Sequence, residues 1–372
     1  MVRISRIWLI ILLTFIMGSC AIGPSLQTSG MANPRPVKEM FPLELGGVTQ
    51  WVTIRTQSLF NPVILFVHGG PGAVETSLLP YYNRDLEKYF TVVTWEQRGA
   101  GKSNHRSVPD STITIDQILT DLHDLVGYLK QRFRQEKIFL MGHSFGTLLG
   151  LMAVDQHPGD FHAYVGIGQV VDLEMNLRCS YEEISRMAHE KEDPDAISML
   201  AKLDLSIQGI RKNDIDDLMK MRHWLARNGR LFYGKNGYYQ LGLVTILSRS
   251  YSLADLVRIA TGLNRSKRLL WNQGLFDIRF PELIREVRVP VFFASGAYDL
   301  MTCTSVTESY YRDLRAPLKE MRVFESSAHC PIFEEPEKFN RWIIESLLPL
   351  APAGNGAAIV ASPDAAETER QK

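Results

Sequence analysis

Three residues that together can activate a serine for attack on a carbonyl occur in a defined order along the chain. Ser144 lies at the centre of a G-x-S-x-G pattern, Asp299 follows a glycine turn, and His329 is the last histidine of the sequence. A serine hydroxyl is a weak nucleophile until a histidine accepts its proton, and a carboxylate holds that imidazole in the required tautomer. We therefore predict that Ser144 is a nucleophile, His329 its base and Asp299 the orienting acid.

A predicted strand precedes each of these residues, apolar before Ser144 and Asp299, as expected for strands that bring them to one edge of a sheet. The segments are Lys137–Leu140, Val289–Ala294 and Glu320–Phe324. A helical pattern begins at Thr147, so Ser144 lies between a strand and a helix. This context distinguishes a nucleophile elbow from a chance match to the pattern.

A glycine-rich loop, His68-Gly69-Gly70-Pro71-Gly72, follows a further apolar run at Val63–Val67. Acyl transfer places negative charge on the carbonyl oxygen, and fixed N–H donors stabilise that charge. One donor normally follows the nucleophile and the other comes from a loop of this kind. We predict that the backbone N–H groups of Phe145 and Gly70 form this oxyanion hole. The alternative is that the glycines only form a turn.

The rest of the chain alternates strand and helix patterns. Residues 90–95 and 163–167 are apolar, and between them the apolar positions from Ile115 to Leu129 repeat at helical spacing behind a Thr114 cap. Such alternation predicts an α/β fold with a mostly parallel sheet and an active site at the carboxyl ends of the strands. From residue 170 to residue 277 only helical patterns continue, which predicts a helical cap inserted before the strand of Asp299.

Taken together, the motifs resemble those of α/β-hydrolases of the proline iminopeptidase group, which are serine aminopeptidases of the S33 type. The segments that carry the resemblance are His68–Gly72, Trp95–Ser103, Gly142–Gly146, Gly296–Asp299 and Ser327–His329. The resemblance implies the α/β-hydrolase fold, an acyl-enzyme on Ser144, and release of N-terminal residues, proline among them, from short peptides. One departure is Glu96, because the group usually has an aspartate at that position. A longer side chain there bears on the substrate more than on the reaction class.

The resemblance also implies that carboxylates of the cap recognise the free α-ammonium of the substrate. Glu174, Glu182 and Glu183 are the candidates here, with Glu174 first because it lies nearest the carboxyl end of the preceding strand. Glu96 is a further candidate. The alternative for each is a solvated charge on a helix surface.

Two other functions remain open at this point. A carboxylic ester hydrolase would use the same serine, base and oxyanion donors, and nothing in the core distinguishes the leaving group. A non-catalytic binding protein could retain the fold, although the complete set of Ser144, Asp299 and His329 argues against it. The partner expected in the first two cases is a short peptide or a small acyl compound.

Composition and motifs argue against several other classes. The chain has 41 basic and 41 acidic residues and no basic cluster, so nucleic-acid binding has no electrostatic signature. A phosphate-binding loop ending at Lys102 would need a glycine at position 96. Neither H-E-x-x-H nor C-x-x-C occurs, so we predict no metal and no cofactor.

The N-terminus has the pattern of an export signal. Basic residues precede an apolar run from Ile7 to Met17, which is shorter than the roughly 20 apolar residues that span a bilayer. Gly18-Ser19-Cys20 then resembles a bacterial lipoprotein cleavage box. Lipidation of Cys20 would anchor the protein at a bacterial membrane, facing the periplasm or the cell exterior. Ordinary cleavage nearby is the alternative.

The predicted organisation has six parts. They are a signal segment at 1–20, a flexible spacer at 21–40, a hydrolase core at 41–169 and 278–350, a helical cap at 170–277, and a disordered tail at 351–372. Besides Cys20 the chain has three cysteines, an odd number that does not suggest a disulfide framework. Buried free thiols are therefore expected, with a pairing of Cys303 and Cys330 left open.

Overall fold

An eight-stranded sheet forms the centre of the computed structural model, which describes residues 36–203, 215–235, 238–271 and 273–352. The strands are β1 (Val37–Leu45), β2 (Val48–Thr56), β3 (Val63–Val67), β4 (Thr91–Glu96), β5 (Ile138–His143), β6 (Phe161–Ile167), β7 (Val291–Gly296) and β8 (Lys319–Phe324). Their order across the sheet is β1-β2-β4-β3-β5-β6-β7-β8. The β1–β2 and β2–β4 pairs are antiparallel and all others are parallel. The predicted α/β fold is therefore confirmed.

Helices cover both faces of this sheet. They are α1 (Leu79–Tyr82), α2 (Ile115–Phe133), α3 (Phe145–Gln156), α4 (Leu173–Glu190), α5 (Pro194–Leu200), α6 (Ile215–Arg227), α7 (Tyr239–Leu247), α8 (Leu253–Trp271), α9 (Phe280–Leu283), α10 (Thr304–Asp313), α11 (Pro331–Glu334) and α12 (Pro336–Leu347). Successive residues of β3 enter opposite cores, Leu65 with α2 and α3, and Phe66 with α12. Because both faces are covered, the central strands are apolar throughout.

The predicted cap of α2 is present, since the Thr114 hydroxyl accepts a 3.1 Å hydrogen bond from the backbone N–H of Gln117. This bond satisfies one of the free N–H groups of the first turn. The apolar positions of α2 lie on its buried face, including Ile118, Leu122 and Leu125. The helix thus packs on the sheet as its periodicity predicts.

The predicted spacer extends too far along the chain, because β1 already begins at Val37. β1 and β2 form a hairpin whose turn is Gly46-Gly47, with φ angles of 53° and 75°. Such left-handed angles favour glycine and suit a tight hairpin turn. Lys38, Glu39 and Glu44 separate the apolar residues of β1, and Pro42 lies within the strand, as an edge strand allows. These features obscure the strand in the sequence.

Between β6 and β7 the described residues form helices α4 to α9, with no strand among them. The chain leaves the core at Asp172 and returns at Arg279, and these residues form an isolated β-bridge and a 3.0 Å ion pair. Asp172 also caps α4 by accepting from the N–H groups of Glu174 and Met175. The base of the helical insertion is therefore closed by one buried carboxylate.

The expectation of free thiols is wrong for two of the three cysteines. Cys179 of α4 forms a disulfide with Cys303, which directly precedes α10, whereas Cys330 is free and buried. The Cys303–Cys330 pairing left open in the sequence is thereby ruled out. An odd count is compatible with one bridge and one free thiol, and only the packing of the cap on the core decides which cysteines meet.

The predicted signal segment, Cys20, most of the spacer and most of the tail lie outside the described residues. None of the described helices combines the length and the apolar character that a membrane crossing requires.

Candidate active site

Ser144 lies in the sharp turn between β5 and α3. Its backbone has φ 52° and ψ −120°, an uncommon conformation for a residue with a side chain. Such strain persists only where the surroundings impose it. A side chain at Gly142 would meet the backbone of Gly146, and one at Gly146 would meet the carbonyl of Val67. The two glycines therefore allow the close packing that holds the serine in this conformation.

The structure brings Ser144, His329 and Asp299 into one chain of hydrogen bonds. The Ser144 Oγ to His329 Nε2 distance is 2.9 Å, and the His329 Nδ1 to Asp299 Oδ2 distance is 3.0 Å. The imidazole and the carboxylate are buried, with His329 and Asp299 each 2 % exposed. In this order Nδ1–H donates to the carboxylate and Nε2 is free to accept the serine proton.

The loop after β7 holds Asp299 as a carboxylate. Its Oδ1 accepts from the backbone N–H groups of Met301 (2.8 Å) and Thr302 (3.0 Å), and its Oδ2 accepts from the Thr302 hydroxyl (2.7 Å). Burial opposes the charged form, but His329 and the Thr302 bonds outweigh it and lower the pKa of Asp299. The aspartate is therefore ionised and firmly oriented toward His329. Thr302 has no signal in the sequence that would have identified it.

A second carboxylate, Glu334, fixes the loop that carries His329. It accepts hydrogen bonds from the backbone N–H groups of Ala328 (2.9 Å) and Cys330 (2.7 Å), one on each side of His329. It also accepts from the N–H of Tyr233 in the cap. Burial raises the pKa of Glu334 to about 6. The base thus lies in a loop held on both sides and connected to the cap.

The glycine loop after β3 is supported by two buried histidines. His68 Nε2 accepts from the N–H of Gln97 (3.2 Å), and its Nδ1 lies 2.9 Å from the carbonyl of Gly69. Burial lowers the pKa of His68, so the ring is neutral with its proton on Nδ1. His68 therefore supports the glycine loop from within the core.

His143, beside the nucleophile, connects the glycine loop to the loop of His329. Its Nδ1 lies 2.6 Å from the carboxylate of Glu75, and its Nε2 lies 3.1 Å from the carbonyl of His329. Glu75 in turn accepts from the N–H of Gly69 at 3.2 Å. Burial opposes protonation, but Glu75 and the His329 carbonyl outweigh it and raise the pKa of His143. Because both ring nitrogens face acceptors, His143 acts as a double donor between the two loops.

A cavity of about 80 Å³ opens beside Ser144. Gly70 and Phe145, the predicted oxyanion donors, line it together with apolar residues of the core and the cap. Two basic residues also line it, Arg222 of α6 and Lys267 of α8, and none of its described lining residues is acidic. The arrangement suits an apolar acyl group with a charged or polar end.

The structure does not bring the predicted ammonium-binding glutamates to this cavity. Glu174 pairs with Arg178 one turn along α4 at 3.0 Å, and Glu183 pairs with Arg186 at 2.8 Å. Glu182 is exposed on the same helix. All three positions follow the strand end, but the helix directs them away from the cavity. For these side chains the alternative of helix-surface charges describes the structure.

The loop Glu96-Gln97-Arg98 has a supporting role at the core. Gln97 contacts His68, and Arg98 forms two 2.8 Å hydrogen bonds with the fully buried Asp121. Glu96 is also buried, and it accepts a 2.6 Å hydrogen bond from the hydroxyl of Tyr251 at the start of α8. Glu96 therefore connects the core to the cap and does not line the cavity beside Ser144.

Burial raises the pKa of Glu96 to about 7, despite hydrogen bonds from Tyr251 and Lys102 that favour the charged form. The folded state therefore holds this proton more tightly than the unfolded chain, whose glutamate titrates near 4.5. The contribution of Glu96 to the free energy of unfolding is therefore complete below pH 4.5. It is lost as the pH rises toward 7 and does not change further at higher pH.

We expect the free energy of unfolding of wild type to fall by about 3 kcal/mol relative to that of Glu96→Gln between pH 4.5 and pH 7. Denaturant titrations at several pH values would measure this difference. Glu337→Gln, at an exposed glutamate of α12, is the control and should run parallel to wild type. A constant difference between wild type and Glu96→Gln would contradict the raised pKa.

A mostly parallel sheet with a serine in a strand–helix elbow, followed by an acid and a histidine after later strands, defines the α/β-hydrolase class. The family model described as α/β hydrolase fold matches residues 62–199. A probable aminopeptidase of Bacillus subtilis, YbaC, is 32% identical over 80% of this chain and 92% of its own length. The chain therefore belongs to the α/β-hydrolase family, within the S33-type group that the motifs indicate.

Further comparisons agree with this family. A proline iminopeptidase of Heyndrickxia coagulans is 25% identical over 75% of this chain and 88% of its own length. The crystal structure of a proline iminopeptidase from Mycobacterium smegmatis superposes with a TM-score of 0.62 at 15% identity, covering 84% of this chain and 98% of the other. At this identity, the match to the Mycobacterium smegmatis structure shows that the two proteins share a fold.

Proposed function

We propose that this protein is a serine exopeptidase that releases the N-terminal residue of short peptides through an acyl-enzyme on Ser144. The observation that carries the proposal is the hydrogen-bonded order Ser144–His329–Asp299 beside a small cavity under the cap. The identity with a probable aminopeptidase over most of both chains supports the same reaction.

In the first half of the proposed reaction His329 Nε2 accepts the Ser144 proton while Oγ attacks the scissile carbonyl. Asp299 stabilises the imidazolium, and the N–H groups of Gly70 and Phe145 stabilise the oxyanion. His329 then gives its proton to the leaving amine. In the second half His329 activates water, which releases the acyl residue and restores Ser144.

The size of the cavity supports removal of a single residue. Its volume of about 80 Å³ is well below the ~300–1,000 Å³ of sites that hold drug-sized ligands. Trp271 and Leu173 of the cap line it, together with Leu148 and Val170 of the core. A group of about one side chain fits such a space, whereas an extended acyl peptide does not.

Aminoacyl anilides with a free amine are expected to be cleaved, and their N-acetylated forms to react about ten to a hundred times more slowly in kcat/KM. The acetyl amide must enter the small cavity and leave polar groups unpaired, at a cost of about 1–3 kcal/mol. Initial rates on matched alanyl and N-acetylalanyl p-nitroanilides would measure the ratio. Matched p-nitrophenyl esters of simple acids serve as the control for an intact nucleophile.

Equal rates on free and acetylated anilides would remove the exopeptidase proposal and favour a carboxylic ester hydrolase. One observation supports that second candidate: none of the described residues lining the cavity is an acid that could bind the α-ammonium. The non-catalytic alternative would require all of these substrates to remain intact.

We also propose that the enzyme is exported and lipidated on Cys20. The pattern Gly18-Ser19-Cys20 supports lipidation, and the Cys179–Cys303 disulfide supports an oxidising compartment, where such bonds persist. In a bacterial host, Cys20→Ala should move the enzyme from the membrane fraction to a soluble one without loss of specific activity. Fractionation and mass spectrometry of the N-terminus would test this, with Cys330→Ala as the control. An unmodified mature N-terminus at another residue would refute lipidation.

A further inference from the structure

Arg222 lies between two adjoining cavities at the candidate site. The first, of about 80 Å³, contains Ser144 and is also lined by Lys267. The second, of about 100 Å³, extends away from Ser144 between α4 and α6. The two share five lining residues, which are Leu173, Met219, Arg222, Trp271 and Met301. Arg222 therefore lies at the boundary of both cavities and lines the one that contains Ser144.

The two cations lack a carboxylate partner in the part of the chain that the structure describes. None of the ion pairs found among the described residues involves Arg222 or Lys267, and none of the described residues lining either cavity is acidic. Partial burial, and next the positive charge of Arg222, lower the pKa of Lys267. Two partly buried like charges without counter-ions are unfavourable in the free protein. An anion in this space would relieve the repulsion.

A buried amide at the second cavity also favours a bound anion. Asn176 of α4 is 3 % exposed and lines this cavity, yet neither its side-chain nitrogen nor its oxygen has a hydrogen-bond partner among the described residues. Leaving such a group unpaired is costly, and buried polar groups are nearly always bonded. Its N–H₂ group can donate to a carboxylate held by Arg222.

We propose that the substrate carries a carboxylate, which binds between Arg222 and Lys267 with Asn176 as an additional donor. This inference rests on the proposed function and deepens it by giving the substrate class. The carboxylate belongs either to the side chain of an acidic N-terminal residue or to the C-terminus of a dipeptide. In both cases the substrate itself supplies the anion that pairs with the two cations.

Pairs of substrates that differ only in this charge test the proposal. Glutamyl against glutaminyl p-nitroanilide tests the acidic side chain, and alanylalanine against alanylalaninamide tests the terminal carboxylate. We expect wild type to prefer the charged member of one pair by about tenfold to a hundredfold in kcat/KM, as for a hydrogen-bonded charge pair. The pair that shows the preference identifies the source of the carboxylate.

Arg222→Gln and Lys267→Met should bring that ratio close to one. Arg268→Gln is the matched control, since Arg268 neighbours Lys267 on α8 but is exposed and pairs with Asp110 at 3.4 Å. It should keep the wild-type ratio. Asn176→Leu should lower the ratio less than Arg222→Gln does, because Asn176 is a neutral donor. This substitution also removes an unpaired buried polar group.

The outcomes separate this inference from the proposed function. If only esters are hydrolysed, the exopeptidase proposal fails and the charge preference is measured with the p-nitrophenyl half-ester of succinate against the p-nitrophenyl ester of succinamic acid. Independently of turnover, glutarate should protect Ser144 from fluorophosphonate labelling at concentrations about tenfold lower than glutaramide. Equal rates within every pair, or equal protection by glutarate and glutaramide, would overturn the proposal.

Discussion

Replacing Ser144 with alanine is expected to lower kcat by a factor on the order of 10⁴ to 10⁶ without unfolding the protein. The factor is large because the hydroxyl is the only atom that forms the acyl bond in the proposed reaction, and His329 and Asp299 have no function without it. Only the binding energy and the oxyanion donors would then contribute to catalysis. Steady-state kinetics on an aminoacyl anilide, with circular dichroism to verify folding, would measure the effect.

Ser295→Ala is a suitable control for this variant. Ser295 is a fully buried serine near the end of β7, and its hydroxyl has no partner among the described residues. Activity should therefore stay near that of wild type, and a fluorophosphonate should label wild type and Ser295→Ala but not Ser144→Ala. Near-normal turnover by a folded Ser144→Ala protein would refute the proposed mechanism.

Asp299→Asn is expected to lower kcat by about 10⁴-fold, through the tautomer of His329. Oδ1 accepts two backbone N–H bonds, from Met301 and Thr302, so the asparagine must place its oxygen there. Its N–H₂ group then faces His329 Nδ1, where Oδ2 now lies. Nδ1 must accept that bond, which moves the ring proton to Nε2. In this state His329 cannot accept the Ser144 proton.

Asp313→Asn, at an exposed aspartate at the end of α10, is the control and should leave kcat unchanged. The pH dependence of kcat provides a second measurement. Since the wild-type carboxylate stabilises the imidazolium, the asparagine variant should recover activity at higher pH through hydroxide-assisted attack. A loss of less than tenfold at neutral pH would show that Asp299 does not hold the tautomer.

The predicted ammonium-binding glutamates do not line the cavity beside Ser144. The prediction puts Glu174, Glu182 and Glu183 near the serine because they follow β6. Position along the chain, however, does not define the direction of a side chain on a helix. In the structure α4 turns Glu174 and Glu183 toward arginines on its own surface. Residues three or four positions apart on a helix are neighbours, so local ion pairs compete with the site for these carboxylates.

The sequence by itself determined the central parallel strands, the elbow and the order of Ser144, Asp299 and His329. These features depend on local patterns, since a buried parallel strand is an apolar run and the residue after its end lies at the carboxyl edge of the sheet. The edge strand β1 was missed for the same reason, because its charged residues and Pro42 leave no such apolar run.

Only the tertiary structure decided which side chains of the cap meet the core. Arg222 and Lys267 come from separate helices, and Cys179 and Cys303 are 124 residues apart, yet each pair converges near the catalytic loops. Helix faces are set by the packing of the cap on the core, and no short motif encodes the angle between two helices. The chemistry at Ser144 could therefore be predicted from the sequence, whereas the charge of the substrate pocket became apparent only from the packing of α6 and α8 over the sheet.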